Sequence, residues 1–497
     1  MKKAAKIIYA AIFFGICAVP LAAMPFVKSN AEIEKKELTP MPALVKDGSI
    51  NTDFSTQFES WFNDRLPFRS QLLSGANLVK GEILTSPSSN VIPGKDGWLF
   101  FEGCKADFMN TNAMTELKLR QTAVTLSLIQ ENVKAKDGRF LFVPMPNKET
   151  VYGEYMPDCY IRASGNNLSR LSLYLDEQGV NYLDMTSLMK QNKQQGIYHK
   201  RDTHWNYLGA LIGYRGIMDA IGKEHKSYEG AAYTLSKDWR ADLDKLLYPS
   251  GGFMDWQYHF DISWDEFEFA IPAGIDDVKA QLDIFMSDKE ENDLRISTVK
   301  TDPSDDDSRL YMVRDSFGRA LLPFMIDNYD RAMFVRTTSP ELSMVAQGAD
   351  MIYEIVERNL ANLTVKAPFM FAPERQGIAA SGAGSELTDA AAEDAGYGFR
   401  IYGILPDDAY DSTARVYVKL SREGESHIFE AFPIVEKDLL KENVRNGATY
   451  KADIDKSENG FSLFVDPKAG LSGSYDIAVI AGGKEYTSAV KAEFKAK

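Results

Sequence analysis

Apolar residues follow two different spacings through the middle of the chain. Compact apolar runs at residues 139–144, 309–314 and 350–356 predict buried strands. Residues 117–133 and 206–221 repeat their apolar positions every three to four residues, which predicts amphipathic helices. Because strands alternate with helices, the pattern predicts an α/β fold, with a mostly parallel sheet and helices on both faces.

The last hundred residues show a third pattern, in which apolar and polar residues alternate in short runs separated by turns. This pattern predicts an all-β sandwich domain. The segment before it is rich in Ala, Gly and Ser, as linkers are. We predict a membrane anchor or signal segment at 1–27, a stalk at 28–52, an α/β domain at 53–370 with a β-rich insertion at about 245–300, a linker at 371–398 and the β-sandwich at 399–497.

The N-terminus has the features of an export segment. Lys2, Lys3 and Lys6 precede an uncharged apolar stretch that, as a helix, is about long enough to cross a bilayer. The basic flank predicts an N-terminus in the cytoplasm and a body outside it. Two interpretations stay open: a single-pass anchor in the cell membrane, which the length of the stretch favours, and a signal peptide cleaved near Ala23 or Ala31, which would leave a secreted protein.

Composition narrows the possible partners. The 497-residue chain carries a net charge of −15 and has no long basic run, which argues against general nucleic-acid binding. An anionic glycan would need a local basic pocket on such an acidic chain. Outside the cytoplasm, Cys104 and Cys159 either form one disulfide or remain separate buried thiols, and the sequence leaves both options open.

Two short segments carry candidate chemistry. Ser316 follows an apolar strand and precedes a predicted helix, where a serine hydroxyl is exposed at the carboxyl end of a sheet. The alternative is an ordinary helix cap by Asp315 or Ser316. Asp202 and His204 stand two residues apart, so in extended backbone the carboxylate reaches the imidazole and orients it as a base. The alternative for this segment is also a capped helix start.

The neighbours of these segments are candidate substrate-binding residues. Trp205 would line the site or stack on a sugar ring, and Lys148, Asn147 and Arg314 would hold an anionic sugar or contribute to an oxyanion hole. A metal set of His199, Asp202 and His204 is the weaker interpretation, because it lacks the paired histidines of a helical zinc motif. We therefore predict neither a metal nor another cofactor.

Six blocks between residues 53 and 360 together resemble a known family. They are FNDRLPFR at 62–69, GWLF at 97–100, VPMPNKETVY at 143–152, DTHW at 202–205, RDSF at 314–317 and VERN at 356–359. In this order they resemble the SGNH-hydrolase-like family of alginate O-acetylation proteins, AlgX and AlgJ, and the related DHHW proteins. The insertion and the C-terminal β-sandwich depart from the alginate proteins.

The resemblance implies an SGNH-like fold in which Asp202 orients, His204 is the base and Ser316 is the nucleophile. It also implies O-acetylation of an exported polysaccharide, beside a multi-spanning membrane O-acyltransferase that supplies the acyl group. The sequence thus predicts an extracytoplasmic O-acetyltransferase acting on a cell-envelope or exported polysaccharide. The alternatives are a glycan O-acetylesterase with the same triad and a non-catalytic glycan-binding scaffold.

Overall fold

The computed structural model describes residues 2–27, 39–46, 49–77, 90–263, 265–270, 295–406, 409, 414–434 and 459–495. Its α-helices are α1 (Lys2–Ala23), α2 (Phe54–Arg65), α3 (Arg69–Asn77), α4 (Lys105–Met109), α5 (Glu116–Lys134), α6 (Lys148–Tyr152), α7 (Asn167–Glu177), α8 (Met185–Asn192), α9 (Tyr207–Ile221), α10 (Asp242–Leu247) and α11 (Leu322–Met325). Its strands are β1 (Val45–Lys46), β2 (Ser49–Ile50), β3 (Val91–Pro93), β4 (Leu99–Phe101), β5 (Phe140–Met145), β6 (Tyr233–Trp239), β7 (Asp255–Phe260), β8 (Phe267–Ala270), β9 (Arg295–Lys300), β10 (Arg309–Arg314), β11 (Arg331–Arg336), β12 (Asp350–Val356), β13 (Gly382–Ala383), β14 (Ala390–Asp394), β15 (Phe399–Ile404), β16 (Val416–Arg422), β17 (Glu425–Ile434), β18 (Gly460–Val465), β19 (Gly473–Ala481) and β20 (Lys484–Phe494).

The N-terminal apolar stretch forms α1. In the parts of the chain just given, no helix combines the length and the apolar character needed to cross a membrane, so the predicted membrane helix is not confirmed. Phe54, Phe58, Trp61 and Phe62 repeat at three to four residues, a spacing that predicts a helix, and they lie on α2.

The α/β domain is built on a mixed sheet. Its six described strands run in the order β5, β12, β10, β11, β9, β8. The first four are parallel to one another, as predicted, whereas β9 pairs antiparallel with β11 and β8 pairs antiparallel with β9. The sheet is therefore mixed, and the predicted insertion supplies β9 and β8 at one edge. Residues 271–294 of that insertion lie outside the described residues.

Each face of the sheet has its own hydrophobic core. Side chains alternate along a strand, so Leu141 and Val143 of β5 face one core while Phe140 and Phe142 face the other. The apolar stripe of α9 covers the first face, and that of α5 covers the second. The predicted helices on both faces are thus present. The short apolar run at residues 180–184 predicts a further strand, but it contributes only an isolated bridge between Tyr182 and Phe142.

The C-terminal region is β-rich, as predicted. Its eight described strands form one hydrogen-bonded sheet in the order β13, β20, β19, β16, β17, β18, β15, β14. The long strand β17 pairs with β16 along its first part and with β18 along its last three residues. The two ends of the sheet come together, because β14 lies against β20. The segment 371–398, predicted as a linker, contributes β13 and β14 to this sheet.

The C-terminal region packs directly on the α/β domain. Tyr402, Phe432 and Ile434 belong to the same buried cluster as the apolar face of α5. The Arg375 guanidinium donates to both carboxylate oxygens of Glu131 on α5 at 2.6 Å. The two regions therefore share a core as well as a polar contact.

Candidate functional site

The segment between Tyr198 and Trp205 folds back on itself beside the sheet edge. These two residues form an antiparallel bridge, and the His199 N–H donates to the His204 carbonyl at 3.3 Å. At its end, Asn206 caps α9 by accepting from the Gly209 N–H at 3.0 Å. The helix start and the bridge together hold the DTHW residues in one conformation.

Asp202, His204 and Ser316 form a chain of hydrogen bonds in which His204 and Ser316 stand 112 residues apart in sequence. His204 Nε2 lies 2.8 Å from Ser316 Oγ, and His204 Nδ1 lies 2.7 Å from Asp202 Oδ1. The Asp202 carboxylate also accepts from the His204 backbone N–H at 3.0 Å. With Nδ1 protonated toward Asp202, Nε2 is free to accept the serine proton. This is the geometry required of a nucleophile, a base and an orienting acid.

The second oxygen of Asp202 is held by residues that the sequence did not single out. Asp202 Oδ2 accepts from Trp239 Nε1 at 2.9 Å and from the Asp242 backbone N–H at 2.8 Å. Burial raises the pKa of Asp202, but the hydrogen bond and the charge of His204 outweigh it and hold this pKa well below its ordinary value. Asp202 is therefore a buried carboxylate that stays ionised.

Two carboxylates affect the pKa of His204. Burial lowers the pKa of His204, yet the hydrogen bond to Asp202 and the charges of Asp202 and Asp242 give a net rise above its ordinary value. Asp242 Oδ2 lies 3.5 Å from His204 Nδ1. Burial and the charge of Asp202 raise the pKa of Asp242 to about 6. The imidazolium that forms when His204 takes a proton therefore has two acids beside it.

Asp242 makes three hydrogen bonds with the DTHW segment. Its Oδ1 accepts from the Thr203 N–H at 2.8 Å, its Oδ2 accepts from the Thr203 hydroxyl, and its backbone N–H holds Asp202 as described. Sequence inspection missed it because it stands 40 residues after Asp202. The available signal was its position in the first turn of α10, immediately after the aromatic β6 strand.

The backbone around Ser316 is fixed by Asp315. The Asp315 carboxylate accepts from the Phe317 N–H at 2.9 Å and from the Val356 N–H at 2.8 Å, tying the end of β10 to β12. The predicted helix at 317–326 is a 3-10 turn from Gly318 to Leu321 followed by α11. A Cβ on Gly318 would lie 2.6 Å from Arg314 Cβ, so only glycine fits this close turn.

The four predicted substrate-binding residues are buried, with relative exposures of 2% or less for Trp205, Lys148, Asn147 and Arg314. Trp205 offers no open ring face for a sugar, because it packs in the core and its Nε1 donates to the Phe317 carbonyl at 3.1 Å. Arg314 donates to the Asp315 carbonyl at 3.1 Å. The prediction of direct substrate contact at these two residues is corrected to a supporting position behind Ser316.

Lys148 and Asn147 also face inward. The Lys148 ammonium donates to the carbonyls of His199 and Lys200 at 3.3 and 3.1 Å and to that of Asp202, and its burial lowers its pKa to about 8. Asn147 Nδ2 donates to Asp107 at 3.0 Å. Lys148 thus holds the backbone at and just before the DTHW segment in place and is not open to bind an anion.

Two further possibilities are a metal site beside His204 and a disulfide between Cys104 and Cys159. Asp202, His204 and Asp242 offer ligand atoms within 4.8 Å of one another. Both ring nitrogens of His204 already contact Asp202 and Ser316, so an ion there would displace one of these partners. Cys104 is buried, Cys159 is exposed and both are free thiols, so the structure lacks the disulfide considered for them.

Comparison with known protein families gives one match. Residues 91–245 match a family described as an SGNH hydrolase-like domain. The family is that of the acetyltransferase AlgX, and the resemblance expected from the sequence is therefore confirmed for this part of the chain. The match includes Asp202, His204 and Asp242, and it ends before Ser316. No curated protein matches the chain.

Several solved structures are weakly similar to this chain. A DHHW family protein from Eubacterium siraeum has 12% sequence identity and a TM-score of 0.41, over 55% of this chain and 95% of that one. The O-acetyltransferase domain of Pseudomonas putida AlgJ has 15% identity and a TM-score of 0.35, over 55% and 92%. Bacillus cereus PatB1 with a sulfonyl adduct has 17% identity and a TM-score of 0.41, over 55% and 96%.

Proposed function

We propose that this protein is an O-acetyltransferase that acts on hydroxyl groups of a cell-envelope or exported polysaccharide through an acyl-serine intermediate. The observation that carries the proposal is the contact of His204 Nε2 with Ser316 Oγ at 2.8 Å, backed by Asp202 on the other ring nitrogen at 2.7 Å. The match to the AlgX acetyltransferase family supports the acetyl group as the one transferred.

In the first half-reaction, His204 Nε2 takes the Ser316 proton as Oγ attacks the carbonyl carbon of an acetyl ester donor. The oxyanion that forms needs donors, and in the described residues the Ser316 N–H donates to no other group. The imidazolium is stabilised by Asp202 and then gives its proton to the departing alcohol. The carbon–oxygen bond of the donor breaks, and acetyl remains on Ser316.

In the second half-reaction, a sugar hydroxyl takes the place of the departed alcohol. Neutral His204 removes the hydroxyl proton as the sugar oxygen attacks the acetyl carbon, and the same proton returns to Ser316 Oγ when its ester bond breaks. With water as the acceptor, the same steps give an esterase. The acceptor is chosen by how well the site excludes water and positions the sugar.

The proposal includes a location outside the cytoplasm, with the N-terminal segment either holding the protein at the membrane or cleaved on export. Lys2, Lys3 and Lys6 before the apolar stretch support export. A multi-spanning membrane O-acyltransferase is the proposed source of the acyl group. The C-terminal β-rich region is proposed to bind glycan or to act as a spacer.

The test follows acetylation of the full chain by an acetyl ester of nitrophenol. Wild type is expected to show a burst of nitrophenol release and to retain acetyl on the peptide that contains Ser316. The variant Ser316→Ala loses both signals, whereas Ser343→Ala, at an exposed serine that contacts Glu341, retains both. Candidate glycans are then added, and mass spectrometry compares acetylated glycan with free acetate.

The outcomes separate the three functions. Acetylated glycan in a Ser316-dependent reaction supports the transferase. Ser316-dependent release of acetate alone, with every glycan offered, favours the esterase. A folded wild type that gives no burst and no acetyl-serine contradicts a catalytic role and favours the glycan-binding scaffold.

A further inference from the structure

An arginine lies beside Ser316, at the end of the neighbouring strand. Arg358 belongs to the 3-10 turn Glu357–Thr364, which follows β12 directly. The strand β12 is the parallel neighbour of β10, and its Val356 N–H donates to the Asp315 carboxylate at 2.8 Å. The end of β12 is therefore tied to the residue before Ser316, and Arg358 stands two residues beyond this tie.

Two aromatic rings hold the guanidinium of Arg358. Its Cζ atom lies 5.7 Å from the centre of the Phe317 ring and 6.0 Å from the centre of the Phe101 ring. His204 packs on the same Phe317 ring, with the two ring centres 4.9 Å apart. Because Phe317 is fully buried, the guanidinium and the imidazole share one fixed support next to Ser316.

The N–H groups of Arg358 are not used by the protein. In the part of the chain that the structure describes, the guanidinium makes no hydrogen bond and no ion pair. The Asp315 carboxylate accepts instead from the N–H groups of Phe317 and Val356. Arg358 is partly exposed. Its five N–H donors are therefore available to a ligand, and a guanidinium is a strong partner for an oxyanion.

The charge of Arg358 acts on the triad. Burial lowers the pKa of His204 and the carboxylates of Asp202 and Asp242 raise it, while the positive charge of Arg358 lowers it. Burial also lowers the pKa of Arg358, but the charges of Cys104, Asp315 and other acids give a net rise above its ordinary value. Arg358 therefore stays charged and lies close enough to His204 to affect a charge that forms on the atoms between them.

We propose that Arg358 is a catalytic residue whose guanidinium donates to the carbonyl oxygen of the acetyl group while that oxygen is negatively charged. The assignment rests on the proposed function. As Ser316 Oγ bonds to the carbonyl carbon, one electron pair of the C=O double bond moves onto the oxygen and His204 takes the serine proton. The N–H groups of Arg358 and the Ser316 N–H stabilise this oxyanion. When the double bond forms again, the bond to the leaving oxygen breaks, and that oxygen takes the proton from His204.

The first test follows acetylation of Ser316 by nitrophenyl acetate in the full chain. Arg358→Gln is expected to lower the rate constant of acetylation about 100- to 1000-fold, the effect of losing one oxyanion donor. The half-saturating ester concentration changes little, because the neutral carbonyl of the bound ester gains little from the charge. Arg358→Lys keeps the charge but not the planar fork, so it loses less than Arg358→Gln.

The matched control is an arginine that also stacks on a ring, but away from the site. Arg120 of α5 lies 4.7 Å above the Tyr174 ring and pairs with Glu177 at the surface. Arg120→Gln is expected to keep the wild-type rate of acetylation. Thermal unfolding checks that each variant is folded.

A second measurement uses methylboronic acid, which bonds to a serine hydroxyl as a tetrahedral anion and so mimics the oxyanion. Ser316→Ala is expected to abolish its binding. Arg358→Gln weakens its binding by a factor comparable to the loss in acetylation rate, because both report the same contact with negative charge. This readout needs no acetyl donor.

The pH profile of acetylation separates a direct role from a structural one. Without the positive charge of Arg358 the pKa of His204 rises, so the acid limb of Arg358→Gln moves to higher pH. Arg358→Lys restores the position of the wild-type limb. A variant in which Ser316 is merely displaced loses rate without this shift.

An unchanged acetylation rate, or unchanged boronate binding, in folded Arg358→Gln overturns the proposal. Failure of the proposed function gives a different result. A wild type that binds boronate through Ser316 and Arg358 but forms no acetyl-serine overturns acetyl transfer and supports Arg358 as the oxyanion donor. A wild type that neither binds boronate nor forms acetyl-serine overturns both.

Discussion

Asp242→Asn removes one of the two carboxylate charges beside His204 and keeps the side-chain shape. The amide oxygen still accepts from the Thr203 N–H, and the backbone N–H of residue 242 still holds Asp202. The variant therefore removes the charge that lies 3.5 Å from His204 Nδ1, together with the oxygen that accepts from the Thr203 hydroxyl. We expect this charge to stabilise the imidazolium that forms in both half-reactions.

The magnitude follows from the distance. Two unit charges 3.5 Å apart interact by about 1 kcal/mol in a water-like dielectric and by about 5 kcal/mol at an effective dielectric constant near 20. The Asp242 side chain is 29% exposed, so we take about 1 to 2 kcal/mol from the lower part of this range. That corresponds to a fall of about one unit in the pKa of His204 and to a roughly 5- to 30-fold loss in kcat/KM.

Removing the Asp242 charge lowers the pKa of His204. A catalytic base works only when neutral, and the raised pKa of His204 places the acid limb of the wild-type profile above the ordinary histidine value. Without the Asp242 charge this limb moves to lower pH. Since the pKa of Asp242 is about 6, the charge is lost in wild type below that pH, and the two profiles converge there.

The assay is kcat/KM for nitrophenyl acetate between pH 5 and 9, with wild type, Asp242→Asn and Asp238→Asn. Asp238 is an exposed carboxylate on β6 that pairs with His259 at 3.0 Å, so its variant controls for net charge. Coincident acid limbs for wild type and Asp242→Asn would refute the argument. A shift of equal size in Asp238→Asn would attribute the effect to the overall field of the protein.

Three other outcomes are expected. Gly318→Ala lowers acetyl-serine yield at least tenfold by mass spectrometry, because its Cβ would collide with Arg314; normal yield would show that the turn adapts. Trp205→Ala lowers the free energy of unfolding by about 3 to 5 kcal/mol in urea titrations, the cost of emptying a buried tryptophan site, and a loss below about 1 kcal/mol would contradict this packing. A thiol reagent labels Cys159 in the folded protein and Cys104 only after unfolding, because burial raises the pKa of the Cys104 thiol well above its ordinary value; equal rates would contradict the structure.

Much of the site follows from local sequence. Asp202 and His204 are two residues apart, and Ser316 stands at the end of a strand whose apolar run is unmistakable. The DTHW segment lies between a 3-10 turn at Lys193–Gln195 and α9 and ends no strand of the sheet, so its meeting with Ser316 is expected only from the family resemblance. The contacts of Asp242 and Trp239 with Asp202 could not be predicted, because they depend on how β6 and the start of α10 fold over the DTHW segment.

The wrong prediction of substrate contact for Arg314 and Lys148 has a different cause. Arg314 and Lys148 are charged residues next to the candidate site, and charged residues are seldom fully buried. Here the carbonyls of His199, Lys200 and Asp202 accept hydrogen bonds from the Lys148 ammonium, which offsets the cost of burying its charge. Such compensation depends on three-dimensional contacts that a linear pattern does not contain. The same holds for β9, whose antiparallel pairing with β11 no spacing rule predicts.

The core shared by α5 and the C-terminal strands has a thermodynamic consequence. Removing the C-terminal region would expose the α5 surface against which Phe432 and Ile434 pack. The two regions should therefore unfold in one cooperative transition, and a truncated chain would lose stability throughout. Deletion is for that reason a poor way to ask whether the β-rich region recognises a glycan. Substitutions on its outer surface would separate recognition from folding.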